Sequence, residues 1–255
     1  MISNSMTLSV VSHGHGSLLR RLLVDLQSCD GISGTRIIVT LNVSEPFDAG
    51  DFDPLRITVI RNDVPMGFGA NHNQAFHMCE TPWFMILNPD LRLPQPDCFE
   101  KLLEATRRLP EAALLAPTIT NSEGVPEDAV RTNLTFLSLA ARALKRPRTH
   151  PDTERPARRP GNFYWLAGMF LMVRSDVFSA LGGFDERYFL YCEDYDLSAR
   201  LYNAGHGIVQ VSSVRAVHDA QRDSHRSFKH LKLHLTSLLK VWTSRAFWQI
   251  CRDGQ

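Results

Sequence analysis

Short apolar runs that end in polar or glycine-rich turns, and that alternate with helical patterns, constrain this chain more than any other feature. The runs are Leu8–Ser12, Arg36–Leu41, Ile57–Ile60 and Trp83–Leu87. Between the first two, Leu18, Leu19, Leu22, Leu23 and Leu26 recur at helical spacing. A turn rich in glycine and asparagine after the third leads into a helix expected over Ala70–Cys79. Alternation of this kind builds βαβ units and a mostly parallel sheet flanked by helices. Ligands of such sheets gather at the carboxyl ends of the strands, so those ends are where chemistry is expected.

The pattern continues with a helix over Asp97–Arg108, a strand over Ala113–Pro117, the apolar stretch Trp165–Val173, a helix over Asp194–Asn203 and a strand over Ile208–Val211. Arg142–Pro160 breaks it with seven Lys/Arg, two acids and four prolines. It reads as a mobile basic loop inside one domain, because the apolar pattern resumes at Phe163. A single domain is therefore expected over residues 1–224, followed by a helical tail over 225–255. In the tail, Phe228, Leu231, Leu235, Leu238, Leu239 and Trp242 recur at helical spacing among Arg226, Lys229, Lys232, Lys240 and Arg245; Phe247, Trp248 and Ile250 follow. One long amphipathic helix over His225–Ile250 is expected. Its apolar face would pack on the domain, on a second subunit, or in a membrane interface.

With 255 residues, 44% of them apolar, the chain can bury one substantial core. A net charge of +1 argues against a general nucleic-acid binder. The five cysteines are scattered without CxxC spacing and read as reduced thiols of a cytosolic protein. No stretch reaches the roughly 20 apolar residues that span a bilayer, and the first residues lack the basic leader of a signal peptide. The expected location is cytoplasmic, with a peripheral position on the inner face of the cell membrane as an extension.

Three segments carry candidate chemistry. Trp83–Leu87 delivers Asn88-Pro89-Asp90 at its end. An acid there suits a hard divalent cation such as Mg²⁺ or Mn²⁺, although Asn-Pro-Asp is also ordinary turn chemistry. His218, after the last apolar strand, is a second candidate ligand. Glu193 and Asp194 follow an aromatic run at the start of a helix, where acids are ordinarily stabilising; aromatic walls that desolvate one of them would make it a proton acceptor. Gly67-Phe68-Gly69-Ala70-Asn71-His72-Asn73 lacks the third glycine of a dinucleotide loop. It reads instead as a tight turn into a helix with Asn73 facing a ligand.

In this order, Leu8–Ser12, Ile37–Ser44, Gly67–Asn73, Leu87–Asp90, Trp165–Met169, the run GGFDERYFLYCEDYDL over Gly182–Leu197, and Val217-His218 resemble the family 2 inverting glycosyltransferases of GT-A fold. The likeness is to bacterial rhamnosyltransferase-like members that build surface polysaccharides, and it covers roughly residues 7–230. It implies an α/β fold of GT-A type with a nucleotide-binding sheet. Asp90 falls on the metal-binding aspartate of the DXD motif, with His218 approaching the metal, and Asp194 falls on the catalytic base with Glu193 beside it. The resemblance places Ser12, His13, Gly14, Asn42, Gly67, Phe68, Asn73, Asn88 and Asp90 around the donor nucleotide, and Trp165, Gly168 and Tyr191 around the sugar and acceptor. Two positions depart from the pattern: Leu41-Asn42 stands where many relatives have Asp-Asn, and His13-Gly14 where Tyr-Asn is usual.

What the resemblance implies is inverting transfer of a sugar, rhamnose among the candidates, from a dTDP- or UDP-linked donor to a glycan or lipid-linked acceptor. Mg²⁺ or Mn²⁺ is the implied cofactor. The expected partners extend to a membrane surface reached through the C-terminal helix and to a homodimer, and they exclude nucleic acid. The competing reading is a catalytically silent scaffold that binds a nucleotide or glycan.

Overall fold

The computed structural model describes residues 2–144, 153, 156–218 and 228–253. Eight strands form one sheet: β1 (Met6–Ser12), β2 (Arg36–Leu41), β3 (Arg56–Arg61), β4 (Trp83–Leu87), β5 (Leu91–Arg92), β6 (Ala112–Thr120), β9 (Phe170–Arg174) and β10 (Gly207–His218). Their order is β3-β2-β1-β4-β9-β6-β10-β5. The pairs β3–β2, β2–β1, β1–β4 and β6–β10 are parallel; β9 runs antiparallel between β4 and β6. A two-stranded antiparallel ribbon, β7 (Val130–Thr132) with β8 (Tyr164–Leu166), stands beside the sheet.

The central strands read as continuous apolar runs because both faces are covered. On β4, Met85 and Leu87 point into one apolar layer. That layer holds Leu19, Leu22, Leu23 and Leu26 of α1 (Gly16–Gln27) and Phe99 and Leu102 of α3 (Cys98–Arg108). Phe84 and Ile86 point into the other layer, with Ala75 of α2 (Phe68–Phe76), Phe178 of α5 (Ser175–Ala180) and Leu197 and Leu201 of α6 (Glu193–Asn203). Alternate residues of one strand thus feed two cores.

The C-terminal segment corrects the expectation of one long helix. Its described part is two helices, α7 (Phe228–Thr243) and α8 (Arg245–Asp253). Ser244 breaks the run because its hydroxyl accepts the Phe247 N–H and so caps α8. Leu238, Val241, Phe247 and Ile250 enter the same apolar layer as α6, so this segment packs on the domain along one face. His225, Arg226 and Ser227 lie outside the described residues. So does most of the basic loop expected over 142–160, namely 145–152, 154 and 155. At its near end, α4 (Phe136–Ala143) is helical. At its far end the chain is anchored rather than mobile: Ala157 exchanges both backbone hydrogen bonds with Ile208, and Arg159 pairs with Asp253 at 2.7 Å.

Candidate active site

Strand direction decides which ends meet. β1, β2 and β4 are parallel, so Ser12, Asn42 and Asn88 emerge at one edge. β9 runs the other way and begins at that edge, where the Asn88 N–H donates to the Met169 carbonyl at 2.9 Å. β10 ends there too. The short β5, immediately after Asp90, pairs with it in the register His218↔Leu91. An acid and a histidine 128 positions apart are thereby neighbours, with His218 Nε2 3.2 Å from Asp90 Oδ2.

The other ring nitrogen, Nδ1, lies 2.8 Å from Glu127 Oε2. Burial works against a charged His218, but the two flanking carboxylates outweigh it and raise its pKa to about 8. Asp90 Oδ1 is buried without a hydrogen-bond partner. A buried carboxylate oxygen left open, beside a histidine whose far nitrogen is held by a second acid, fits a divalent cation that takes its remaining ligands from a diphosphate. Among the described residues no group of three or more such side chains could encircle a metal alone, so any ion here depends on a ligand's oxygens. Glu127 was not legible in the sequence, because only the fold brings it to His218.

Asp194 enters the same edge from α6. Its Oδ2 accepts the Gly168 N–H at 2.9 Å, and its Oδ1 accepts the Tyr195 N–H at 2.8 Å. Gly168 immediately precedes Met169, the partner of Asn88, so one short stretch of backbone joins the carboxylate to the end of β4. A side chain at Gly168 would touch the Phe68 ring at 3.4 Å and the Asp194 Cβ at 3.6 Å. Asp194 is half-buried and Glu193 is 5% exposed, with Oε2 unpaired. Burial raises both pKa values; on Asp194 the Gly168 N–H and the nearby Arg131 charge oppose the rise. Tyr191 and Cys192 reach α6 through consecutive positive φ angles of 71° and 67°. That strain, on the order of 1–3 kcal/mol each, is the kind that surrounding structure must hold in place at a working site.

Other expected site residues are used differently. The Asn73 amide donates to the Phe184 carbonyl at 2.9 Å and accepts the Phe184 N–H at 2.9 Å, stapling the acidic loop to α2. Gly67 and Gly69 serve close approach. A Cβ would fall 2.7 Å from the Phe189 carbonyl at Gly67 and 2.6 Å from the Phe184 Cβ at Gly69. Asn42 is buried, bonding the Met66 N–H and carbonyl at 2.8 and 2.9 Å, so it holds the loop before α2 rather than offering its amide outward. Trp165 is 3% exposed, and its ring N–H donates to the Thr132 carbonyl at 2.9 Å. The Tyr191 hydroxyl lies 2.8 Å from Nδ1 of His230 on α7.

Ser12 is buried and accepts the His15 N–H, while His13 and Gly14 are exposed at the end of β1. His72 is a structural histidine: wholly buried, bonded to Ser9 at 2.8 Å and lowered to about 3 by desolvation. A cavity of about 230 Å³ lined by Asn4, Thr7, Arg36, Arg56, Glu80 and Thr81 lies at the opposite ends of the strands and includes none of these residues.

The pattern of the family described as glycosyltransferase like family 2 matches residues 4–235. The chain belongs to that family. Among curated relatives, N-acetylglucosaminyl-diphospho-decaprenol L-rhamnosyltransferase of Mycobacterium tuberculosis is 35% identical over 162 residues, 60% of this chain and 52% of that protein. The chain thus spans about half the length of that relative. Rhamnosyltransferase WbbL of Escherichia coli is 27% identical over 91% of this chain and 90% of its own. Among solved structures, the mannosyltransferase PcManGT of Pyrobaculum calidifontis, in complex with GDP-Man and Mn²⁺, superposes with a TM-score of 0.64 at 15% identity. The match covers 98% of this chain and 68% of that one, and it shows a shared fold. The sheet flanked by helices described above is the GT-A architecture of that family.

Proposed function

We propose that the chain transfers a sugar, with inversion, from a nucleoside-diphosphate donor to a hydroxyl of a glycan or lipid-linked glycan. The observation that carries this reading is the convergence of two acids at one sheet edge: Asp90, paired with His218, and Asp194, tied through Gly168 to the backbone beside Asn88. Relatives named as rhamnosyltransferases, one with a diphospho-decaprenol acceptor in its name, support rhamnose as the sugar and a lipid-linked diphosphate as the acceptor.

Asp90 and His218, the latter oriented by Glu127, are the residues that would hold Mg²⁺ or Mn²⁺. Such an ion supplies Lewis-acid stabilisation of a departing diphosphate. Asp194 accepts the proton of the acceptor hydroxyl as its oxygen bonds to the anomeric carbon. The bond from that carbon to the diphosphate oxygen breaks with the electron pair leaving on the nucleoside diphosphate. A partly desolvated carboxylate whose ionised form is still held by two backbone N–H groups suits this role. The developing oxocarbenium character is that of glycoside cleavage.

For location, no helix among the described residues is long and apolar enough to cross a membrane. Leu231, Leu235 and Leu239 form an exposed stripe on α7, a helix with no acidic residue, while its other face packs on the domain. We assign that stripe to the membrane interface that carries a lipid-linked acceptor, with a homodimer as the competing occupant.

The test is release of nucleoside diphosphate from dTDP-rhamnose and from UDP-sugars, with Mn²⁺, Mg²⁺ or EDTA, in the presence of a polyprenyl-diphosphate-linked acceptor. Metal-dependent release from one donor is expected. Binding of a donor without any turnover across the panel would favour the scaffold reading.

A further inference from the structure

The last residues before the acid pair are held by a helix from the far end of the chain. Asn73 and Phe68 of α2 tie the acidic loop as far as Phe189, whose carbonyl accepts the Phe68 N–H at 2.9 Å. From there α7 takes over. The Ser237 hydroxyl donates to the Leu190 carbonyl at 2.9 Å, and the Tyr191 hydroxyl lies 2.8 Å from His230 Nδ1. His234 packs edge-on against the Tyr191 ring, 5.3 Å between centroids. The Lys240 ammonium donates to the Arg187 carbonyl and stands 5.7 Å from the centre of the Tyr188 ring. His230, His234 and Ser237 follow one another at i, i+4 and i+7 and so share one face of α7. That face grips the loop along its last turn.

What it grips is strained. Tyr191 and Cys192 take consecutive left-handed angles, φ of 71° and 67°, which residues other than glycine keep only where neighbouring contacts fix them. Cys192 is the N-cap of α6 and makes no side-chain cap, so the first turn, which carries Glu193 and Asp194, has no such anchor at its start. Two N–H groups hold the Asp194 carboxylate. That of Tyr195 belongs to the same turn and moves with it; only that of Gly168 comes from another element. The direction in which Asp194 leaves the loop therefore depends on the angles at Tyr191 and Cys192, and those depend on the grip on Tyr191. We propose that Tyr191 and His230 are positioning residues for the transfer reaction: their contact fixes the left-handed turn that delivers Asp194 to the sheet edge. This rests on the reading of Asp194 as base. A base that must face an acceptor hydroxyl tolerates little displacement, since misplacement by about 1 Å can cost roughly a hundredfold in rate.

The test compares kcat and donor KM for Tyr191→Phe, which keeps the ring and removes the hydroxyl, with those for His230→Ala and for the two combined. Donor affinity by calorimetry and thermal unfolding are the controls. Each single variant should lower kcat on the order of tenfold, a fraction of what a full misplacement costs, with donor affinity within about twofold of wild type. The double variant should lose no more than either single one, as expected for two halves of one contact. His230→Asn, whose amide can reach the place of Nδ1, should recover most of the rate. Wild-type kcat in both single variants overturns the proposal. So do losses that multiply in the double variant, or a loss fully explained by the unfolded fraction at the assay temperature. Asp194→Asn separates the two claims. Full activity in that variant sinks the base assignment itself, whereas an inactive Asp194→Asn beside fully active Tyr191→Phe and His230→Ala sinks the role of the Tyr191–His230 contact alone.

Discussion

Replacing Asn73 by Ala separates two roles that its residue type allows. In the structure its amide satisfies both backbone groups of Phe184, a residue 1% exposed, at 2.9 Å each. Gly183, with φ of 71°, makes room for this: a Cβ there would fall 2.4 Å from the Asn73 Oδ1. Alanine leaves one buried N–H and one buried carbonyl without partners. At about 1–1.5 kcal/mol for each such group the expected loss is roughly 2–3 kcal/mol. The further contact to exposed Glu186 adds little. Urea unfolding at constant m-value measures the loss, and calorimetric titration of the donor with Mn²⁺ measures binding. Asn73→Asp keeps the acceptor for the Phe184 N–H and gives up the donors, so it should fall between wild type and Ala. Donor affinity should stay within about twofold in all three, on the ordinary footing that a residue absent from a site does not change its binding. A variant of unchanged stability that binds donor tenfold more weakly would refute the loop-staple role and return Asn73 to the donor site.

Asp90→Ala removes the open oxygen beside His218, and donor binding should lose its dependence on Mn²⁺; an unchanged titration would remove Asp90 from the metal site. Burial raises the Glu193 and Asp194 carboxyls above their ordinary values of 4.5 and 3.8. The folded chain therefore holds these protons more tightly than the unfolded chain, and stability should fall as pH climbs past that ordinary range. Glu193→Gln should flatten this dependence in melts between pH 5 and 8; an identical slope would mean Glu193 is not its source. Changing Leu231, Leu235 and Leu239 together to Gln should abolish flotation with anionic liposomes at unchanged thermal stability. If flotation persists, or if the variant instead converts a dimer to a monomer, the stripe is not a membrane face. Deleting the whole C-terminal segment is the poorer test, because Leu238, Val241, Phe247 and Ile250 belong to the core.

The strand ends were legible in the sequence because apolar runs fix where a parallel sheet stops, and Asp90 emerges where one such run ends; Asp194 was marked instead by its place behind an aromatic run at the start of a helix. What could not be read there is what depends on pairing across the fold. Glu127 meets His218 from 91 positions away, and nothing local distinguishes it from any other acid. His230 meets Tyr191 only once α7 packs on the acidic loop. Asn42 and Asn73 have short amides that serve a loop as readily as a ligand, and an apolar aromatic such as Trp165 fits a pocket wall or a core equally well. Ser244 is compatible with a helix interior, so the break before α8 shows only once its hydroxyl is seen to cap the next helix.

The account stands on Asp194 as the proton acceptor beside a donor held near Asp90. Single-turnover transfer by Asp194→Asn at saturating donor, Mn²⁺ and acceptor tests it most directly. The amide can still accept the Gly168 N–H, so the fold and donor affinity should persist while the rate falls at least a hundredfold, the contribution of a general base. A rate close to wild type, with donor fully bound, would contradict it.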